Sequence, residues 1–250
     1  MKLSSLLILA VLGLAFSTGG YTQEDMKEMF SCNFHEGKDM DDLMSVRDFY
    51  VKQSKKAGLE IPFAFVWTPI KGDFDYDFIW FNYHADLTAF AQFTDAFDAV
   101  PALAAVKTRF DSVADCSSDI VRRWKFYDGG EAPVVTPPAF IASSACILNP
   151  GVRMQDLGDL WGHISRTLEG FGRHKAFHHY VVSPFTSGPG SPDLFIYGVH
   201  DSVTAWAERD EALRNSETGQ GLERLVNAVM SCRTSLWNAH WVVKSPFEDR

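Results

Sequence analysis

Two histidines are the side chains of this sequence best placed to do acid–base chemistry, because imidazole titrates near neutral pH. His84 lies in the segment DFIWFNYHADLTAF (77–90), and His200 lies in the similar segment DLFIYGVHDSVTAW (193–206). In each segment a strand-like run comes before the histidine and a helix-like run follows it. This position suits a general base or a metal ligand at the mouth of a site, and we name both as candidate catalytic residues. The alternative is a structural role, in which each imidazole bonds to the backbone where strand meets helix.

A second set of candidates comes from the alternation of side chains along predicted strands. Trp80, Asn82 and His84 would share one side of a strand, and the other candidates share one side of the last strand of each half. If those sides face the lumen of a closed barrel, the walls of its cavity would be aromatic with a few polar groups, the usual composition of a small-ligand site. The predicted ligand-binding residues are Trp80, Asn82, Arg122, Trp124, Asn238 and His240. Otherwise Arg122 is a surface charge and the aromatic residues belong to the core.

The other patterns that could carry chemistry are weak. His174, His178 and His179 are close in sequence, but neighbours on a strand point to opposite faces, so His178 and His179 are poorly placed to share a metal ion. The sequence contains no H-E-x-x-H, G-x-S-x-G, Walker or G-x-G-x-x-G motif. We therefore predict no metal site and no cofactor, and we disfavour the common hydrolase and nucleotide-dependent classes.

The composition indicates a globular, acidic protein. The 250 residues are 46% hydrophobic and 14% aromatic, which is enough to build a sizeable core. The formal net charge is −9, and no run of Lys or Arg is longer than two residues. We therefore expect neither a nucleic-acid partner nor binding to an anionic membrane surface.

The first 19 residues have the pattern of a secretory signal peptide. Lys2 supplies a charged start, an apolar stretch runs from Leu6 to Phe16, and small residues follow it. The apolar stretch is too short to span a bilayer. We predict a signal peptide at 1–19 and a periplasmic or secreted location, where thiols tend to form disulfides.

The second half of the sequence repeats the first. Beyond the two histidine segments, CNFHEGKDMDDL (32–43) aligns with CILNPGVRMQDL (146–157). Identities in this order indicate an internal duplication. Between the halves, residues 128–138 (DGGEAPVVTPP) have the Gly, Pro and acidic content of a linker. We therefore predict one repeat at 24–127 and a second at 139–245.

Each half shows the same order of strand-like and helix-like patterns, βαββαβ. Asp39 and Gly58 mark the ends of the first helix of the first half, and the helical spacing of the corresponding helix stops at Gly170. The strands predicted in the first half are Met29–Phe34, Pro62–Trp67, Asp77–Tyr83 and Asp119–Phe126. Those predicted in the second half are Phe140–Leu148, Phe177–Ser183, Asp193–Val199 and Thr234–Val243. This order is that of the ferredoxin-like unit, whose strands lie in the order 4-1-3-2 with both helices on one face.

The ferredoxin-like order predicts how the four cysteines pair. Strand four is antiparallel to strand one, so the end of strand one lies beside the start of strand four. The first and second cysteine of each half fall at those two places, which predicts the disulfides Cys32–Cys116 and Cys146–Cys232 over the two other connectivities. The alternative is four buried free thiols.

Two ferredoxin-like units in tandem resemble the fused form of the dimeric α+β barrel superfamily, in which the sheets of two units face each other and close a barrel. The resemblance rests on the element order and the repeat over residues 27–244, and not on a catalytic motif. It implies an α+β fold and a monomer with pseudo-twofold symmetry. The runs FAFVWT (63–68) and DFIWFNY (77–83) lack strict polar alternation, as expected of strands buried on both faces.

The resemblance leaves the chemistry open, because the superfamily includes cofactor-independent monooxygenases, muconolactone-type isomerases, haem enzymes and small-molecule binders. The first hypothesis is an exported protein that binds a small aromatic or apolar molecule in the barrel. The second is a cofactor-independent monooxygenase or isomerase that uses one of the two candidate histidines with Arg122 or Asn82. The third is a structural protein with a filled core. Large aromatic residues at every lumen position would favour the filled core. An open cavity with converging His and Arg would favour the enzyme, and a cavity with neither acid nor base would favour the binder.

Overall fold

The structure is a computed structural model that describes residues 25–129, 138–171, 178–188 and 190–242. The predicted signal peptide, most of the predicted linker and His174 lie outside these residues. Among the described residues, no helix is both long and apolar enough to cross a membrane.

The described residues form eight β-strands and six α-helices. The strands are β1 (Asp25–Phe34), β2 (Phe63–Lys71), β3 (Phe78–His84), β4 (Ala114–Asp128), β5 (Ala139–Leu148), β6 (His178–Pro184), β7 (Leu194–His200) and β8 (Met230–Trp241). The helices are α1 (Met40–Ala57), α2 (Leu87–Asp98), α3 (Pro101–Asp111), α4 (Gly158–Gly170), α5 (Val203–Arg214) and α6 (Glu217–Val229). A short 3-10 helix, Met154–Leu157, comes directly before α4.

All eight strands form one closed antiparallel barrel. In the first half β4, β1, β3 and β2 lie side by side, and in the second half β8, β5, β7 and β6 do. Two antiparallel seams close the barrel, β2 against β8 and β4 against β6. The predicted α+β class and barrel are confirmed, and the strand order within each half matches the predicted 4-1-3-2.

Each half has two helices where we predicted one long second helix. In the first half α2 ends at Asp98 and Pro101 begins α3, because proline lacks the N–H that would continue the ladder of helix hydrogen bonds. In the second half the Ser216 hydroxyl accepts a hydrogen bond from the backbone N–H of Gly219 and so caps the start of α6. The breaks divide the predicted second helix of each half into two without changing the strand order.

The first helix begins and ends where the sequence indicates. The Asp39 carboxylate accepts hydrogen bonds from the backbone N–H groups of Asp41 and Asp42, which caps the start of α1. Gly58, at φ 66°, ends the helix in the left-handed conformation that glycine tolerates best. Leu43 is fully buried in a cluster with residues of β2 and β3, so α1 covers the outer face of the sheet.

The two disulfides join neighbouring strands. Cys32 lies directly opposite Cys116, and Cys146 lies opposite Cys232, with the Cα atoms 4.1 Å apart in each pair. The predicted pairing is confirmed. The predicted starts of the last strand of each half are wrong, because β4 and β8 begin before their cysteine and not after it. The residues around Cys116 are polar and exposed, and such a run is typical of a loop.

Side chains on the two faces of the barrel wall form separate cores. Both halves build an aromatic-rich core in the lumen, in which Trp67, Phe81, Tyr197 and Trp237 are buried. On the outer face, α1 and α3 cover one core and α4 and α6 cover another. Because the strands are buried on both faces, neither face needs the polar alternation of a solvated sheet.

Candidate functional site

The six predicted ligand-binding residues lie on the outer, helix-facing side of the barrel. On β3, Ile79 and Phe81 point into the lumen core, so their neighbours Trp80 and Asn82 point outward. By the same alternation, the other four residues point outward from β4 and β8: Arg122, Trp124, Asn238 and His240. The six side chains therefore do not meet the condition that they face the lumen. Alternation shows which residues share a face, but it cannot show which face is inside when both faces are apolar.

A cavity of about 500 Å³ lies between the outer face of the first-half sheet and helices α1, α2 and α3. We call it the first-half cavity. Its aromatic wall residues are Phe30, Tyr50, Trp80, Phe93, Phe97 and Phe110. Glu28 and Asn82 also line it, so a carboxyl and an amide meet in a mostly apolar space. This composition is typical of a small-ligand site.

Glu28 is held by a chain of two hydrogen bonds along the sheet. The indole Nε1 of Trp80 donates to Oδ1 of Asn82 at 2.8 Å, which fixes the orientation of the amide. Nδ2 of Asn82 then donates to Oε2 of Glu28 at 2.9 Å. Glu28 and Asn82 are directly opposite each other on β1 and β3, so the strand register itself brings them together. The carboxyl is therefore positioned by a buried aromatic residue of the cavity wall.

Burial raises the pKa of Glu28, and the hydrogen bond from Asn82 partly opposes that rise by favouring the charged form. Burial and the nearby Glu28 charge also raise the pKa of the Tyr50 hydroxyl. The cavity thus holds a carboxyl that accepts protons more readily than an ordinary surface Glu. It also holds a phenol that keeps its proton. Such a pair can accept a proton at one point and donate a hydrogen bond at another.

His84 is buried beside the first-half cavity and does not line it. It is the last residue of β3, is 6% exposed, and packs its ring against Phe90 and Phe93. Burial lowers its pKa to about 4, so the imidazole is neutral at neutral pH. Its Nε2 atom is buried without a hydrogen-bond partner among the described residues. Phe93 contacts both this ring and the cavity, which makes His84 part of the support behind the wall.

A second cavity, of about 330 Å³, lies between the second-half sheet and helices α4, α5 and α6. We call it the second-half cavity. His200 and His179 line it, and burial is the main reason that their pKa values fall to about 2 and about 4. The Nη1 atom of Arg209 lies 3.2 Å from Nδ1 of His200. Because arginine can only donate, Nδ1 is the acceptor, and the proton of the neutral imidazole is on Nε2. Gly198 separates the two rings, and a Cβ there would come within 2.6 Å of His200 and 2.7 Å of His179.

The two outer cavities differ in chemistry although the strands that line them correspond. In the first half Glu28 faces Asn82 across β1 and β3, and in the second half Ala142 faces Gly198 across β5 and β7. The second-half cavity therefore lacks the carboxyl and amide pair and contains neutral imidazoles. Within the described ranges, no group of three or more His, Cys, Asp or Glu residues is arranged to hold a metal ion.

The lumen contains a third cavity, of about 240 Å³, at the end of the barrel closed by the β2–β3 and β6–β7 hairpin loops. Trp67, Phe81 and Trp237 form much of its wall, and Lys27 lies at its inner end. The Lys27 ammonium donates a hydrogen bond to the Tyr197 hydroxyl at 2.8 Å. The lumen is thus partly filled and partly open.

The structure brings only some of the predicted site residues together. Trp80 and Asn82 line the first-half cavity, and His200 lines the second-half cavity. The other four predicted ligand-binding residues line none of the three cavities: Arg122, Trp124, Asn238 and His240. His84 and His200 lie far apart in strand order, on separate outer faces.

Lys27 and Glu28 were not predicted as site residues, because the first strand was predicted to start at Met29. The strand begins at Asp25, so the run DMKEMF carries three charged residues into a doubly buried sheet. A charged residue inside an apolar strand run is costly to bury and is the signal that could have found them. Arg209 and His179 gave no comparable signal, because their approach to His200 depends on packing between α5, β6 and β7.

No family model and no curated protein matches the sequence. Solved structures do match the fold. A candidate monooxygenase from Fusobacterium nucleatum subsp. nucleatum is similar at a TM-score of 0.55 and 11% identity, covering 90% of this chain and 94% of that one. An anthrone oxidase-like protein is similar at 0.54 and 13% identity (89% and 95% covered), and a candidate chlorite dismutase at 0.52 and 13% identity (88% and 96% covered). The expected resemblance to dimeric α+β barrel proteins is confirmed, and at these identities it concerns the fold alone.

Proposed function

We propose that the protein binds a small aromatic molecule in the first-half cavity and that Glu28 removes a proton from it. The observation that carries the proposal is the hydrogen bond from Asn82 to Glu28 at an aromatic-walled cavity of about 500 Å³. Aromatic walls favour a flat, apolar ligand, and a positioned carboxyl supplies the base. Of our three hypotheses, this supports the proton-transfer enzyme over the simple binder, with Glu28 in the role first given to a histidine.

The reaction class is proton abstraction from a carbon next to a carbonyl. The substrate C–H proton moves to a carboxylate oxygen of Glu28, the C–H electron pair forms a C=C bond to the carbonyl carbon, and the π pair of the carbonyl moves onto its oxygen to give an enolate. Return of the proton to a different carbon completes an isomerisation without any oxidant. The raised pKa of Glu28 makes it a stronger base, and the still protonated Tyr50 can donate to the enolate oxygen.

Histidine is the less suitable base here. His84 is the histidine nearest the first-half cavity, but its ring is covered by Phe90 and Phe93, and burial lowers its pKa to about 4. An imidazole with so low a pKa is a weak proton acceptor near neutral pH. We therefore assign it a packing role, and Glu28 the chemical one.

We also propose that the protein works outside the cytoplasm as a monomer made of two copies of one unit. The signal-like residues 1–19 and the two disulfides support export to an oxidising compartment, the periplasm or the cell exterior. The same strand order and the same cysteine register in both halves support a duplication. Because both seams of the barrel close within one chain, no second chain is needed to complete it.

Hydrogen–deuterium exchange of a model ketone tests the proposed function. Phenylacetone has one aromatic ring and acidic benzylic hydrogens, so NMR in D2O reports both its binding and the loss of those hydrogens. We expect the wild type to accelerate exchange and Glu28→Gln to lose about 100-fold or more of that acceleration with binding retained. Asp98→Asn is the matched control, because Asp98 is a carboxylate that lines the same cavity.

Two outcomes would overturn the proposal. Binding without accelerated exchange in the wild type would leave the protein a binder of small aromatic molecules. Equal losses in Glu28→Gln and Asp98→Asn would show that cavity charge matters and that Glu28 is not the base.

A further inference from the structure

We propose that Lys27 is a reactive amine at the inner end of the lumen cavity and that it forms an imine with a small aromatic aldehyde or ketone. This site is inside the barrel and separate from the first-half cavity, because Lys27 and Glu28 are adjacent on β1 and point to opposite faces. The proposal does not depend on the proposed function of Glu28.

Lys27 lies at the deep end of the lumen cavity, far from the hairpin loops. Inward-facing residues of β1 run Lys27, Met29 and Ser31 toward the end where the hairpin loops lie, and all three line the lumen cavity. Lys27 is 1% exposed. On its other side, the barrel is filled by Arg123, which stacks its guanidinium on the ring of Tyr180. A molecule that enters past the loops would therefore meet the amine last.

The surroundings of the Lys27 amine are apolar and aromatic. Its Nζ atom lies 4.5 Å from the ring centre of Tyr83, 4.7 Å from that of Tyr197 and 5.1 Å from that of Phe81. Burial, together with the positive charge of Arg123, lowers the lysine pKa well below its ordinary value. Desolvation and a neighbouring cation are the two ways in which proteins make a lysine nucleophilic.

The Asp25 carboxylate opposes the lowering of the Lys27 pKa, but it is already engaged by Arg123. Asp25 accepts from Nε of Arg123 at 2.7 Å, as part of a paired contact with the guanidinium. Within the part of the chain that the structure describes, the hydrogen-bond partner of Lys27 Nζ is the Tyr197 hydroxyl. A lysine kept only for stability would be expected to pair with a carboxylate when it is buried this deeply.

The fold itself does not require a lysine at this place. Lys27 lies opposite Tyr83 on the first-half strands, and the corresponding pair on the second-half strands is Ile141 and Val199. Both of these residues are in the lumen core. An apolar pair thus occupies the corresponding position in the second half of the same barrel. The barrel can therefore form without an amine at this position.

Tyr197 is placed to donate a hydrogen bond to the carbonyl oxygen of a bound aldehyde or ketone. Its hydroxyl oxygen accepts from Lys27 at 2.8 Å and from Arg123 at 3.3 Å, which directs its own proton away from both donors. Burial raises the pKa of Tyr197, so the phenol keeps its proton and acts as a hydrogen-bond donor. The lone pair of the neutral amine attacks the carbonyl carbon and forms the C–N bond, and the π pair of the carbonyl moves onto its oxygen. That oxygen takes up the two protons that the nitrogen gives up and leaves as water, and the C=N bond remains. One aldehyde and one amine give one imine and one water, with no oxidant or reductant.

Reductive trapping tests the proposal directly. The probe is benzaldehyde with sodium cyanoborohydride, whose hydride reduces the imine to a stable secondary amine that peptide mass mapping can locate. Lys56 is the internal comparator, because it is exposed on α1 and lines none of the three cavities. We expect Lys27 to be labelled at least about tenfold faster than Lys56 near neutral pH, because its lowered pKa leaves more of the amine neutral.

Two variants keep the test decisive. Tyr197→Phe keeps the ring and removes the hydroxyl, so labelling of Lys27 should slow while labelling of Lys56 is unchanged. In Glu28→Gln, Lys27 should be labelled at the wild-type rate, which separates this proposal from the one for the first-half cavity. Labelling of Lys27 only after denaturation, with Lys56 labelled in the folded protein, would overturn the proposal and leave Lys27 a structural residue.

Discussion

The side-chain amide of Asn82 donates a hydrogen bond to the carboxylate of Glu28 across two neighbouring strands, with Nδ2 and Oε2 2.9 Å apart. This bond favours the charged form of Glu28 in a place where burial favours the neutral form. The balance between the two effects sets how readily Glu28 takes up a proton.

Asn82→Leu should therefore raise the pKa of Glu28 further and destabilise the protein. Loss of the donor leaves a part-buried carboxylate unpaired, at a cost of about 1–3 kcal/mol at neutral pH. The cost should shrink as the pH falls and the carboxyl becomes protonated, because a neutral Glu28 needs less compensation. NMR titration of the Glu28 carboxyl and urea unfolding measure the two effects. In the background of Glu28→Gln the same substitution should lose its pH dependence; an unchanged dependence there would contradict the assignment.

His84→Phe should make the protein more resistant to acid. The folded-state pKa of His84 is about 4 and the ordinary value is 6.5, so the unfolded chain takes up a proton that the folded protein refuses. Above about pH 6.5 the neutral His84 costs the folded protein nothing. Below that pH the free energy of unfolding falls as the pH drops toward 4, and the loss is about 2 kcal/mol at about pH 5. A phenylalanine cannot take up the proton and can pack against Phe90 and Phe93. Urea unfolding from neutral to acid pH should show a shallower decline in the variant, and equal slopes would rule the explanation out.

Gly198→Ala should destabilise the second half by displacing two histidines. The new Cβ would come within 2.6 Å of His200 Nε2 and 2.7 Å of His179 Nε2, so at least one ring must move, at a cost of about 1–3 kcal/mol. Gly170→Ala is the control, because nothing lies within 4 Å of its added Cβ at the end of α4, and it should be neutral or mildly stabilising. Adding His179→Ala should restore much of the stability lost in Gly198→Ala. A failure of that rescue would mean that crowding at Gly198 has another source.

Removal of either disulfide should cost a similar amount. The cysteines are 84 residues apart in one pair and 86 in the other, so the chain-entropy model gives about 4–5 kcal/mol for each closed loop. Replacing both members of one pair with alanine and following urea unfolding measures the cost. A large loss for one pair and none for the other would show that the two halves do not unfold as equivalent parts of one barrel.

Local chemistry predicted the features that depend on short stretches of sequence. A capping aspartate and a glycine that tolerates positive φ marked the ends of α1, and the spacing of cysteines against the strand order gave both disulfides. The break between α2 and α3 also had a local signal, Pro101, which the predicted long helix passed over. These features need no knowledge of what packs across the molecule.

The candidate site depended on contacts that no local pattern contains. The alternation on β3 correctly grouped Trp80 with Asn82, but helices on one side and a second sheet on the other make both faces apolar, so their face was misassigned. Lys27 and Glu28 had a local signal, charge inside an apolar run, but their partners Tyr83 and Asn82 follow only from the pairing of β1 with β3. The meeting of Lys27 with Tyr197 joins residues 170 positions apart and comes from barrel closure.

That closure also governs how the chain behaves when it is taken apart. The first half of this barrel, separated from the second, would have β2 and β4 as unpaired edge strands. Unpaired edge strands tend to pair with strands of other molecules. In the intact chain β8 and β6 occupy those edges from within the same polypeptide, so barrel assembly is a unimolecular event. The rate of barrel assembly therefore does not depend on protein concentration. Both seams stay paired even when the protein is highly diluted.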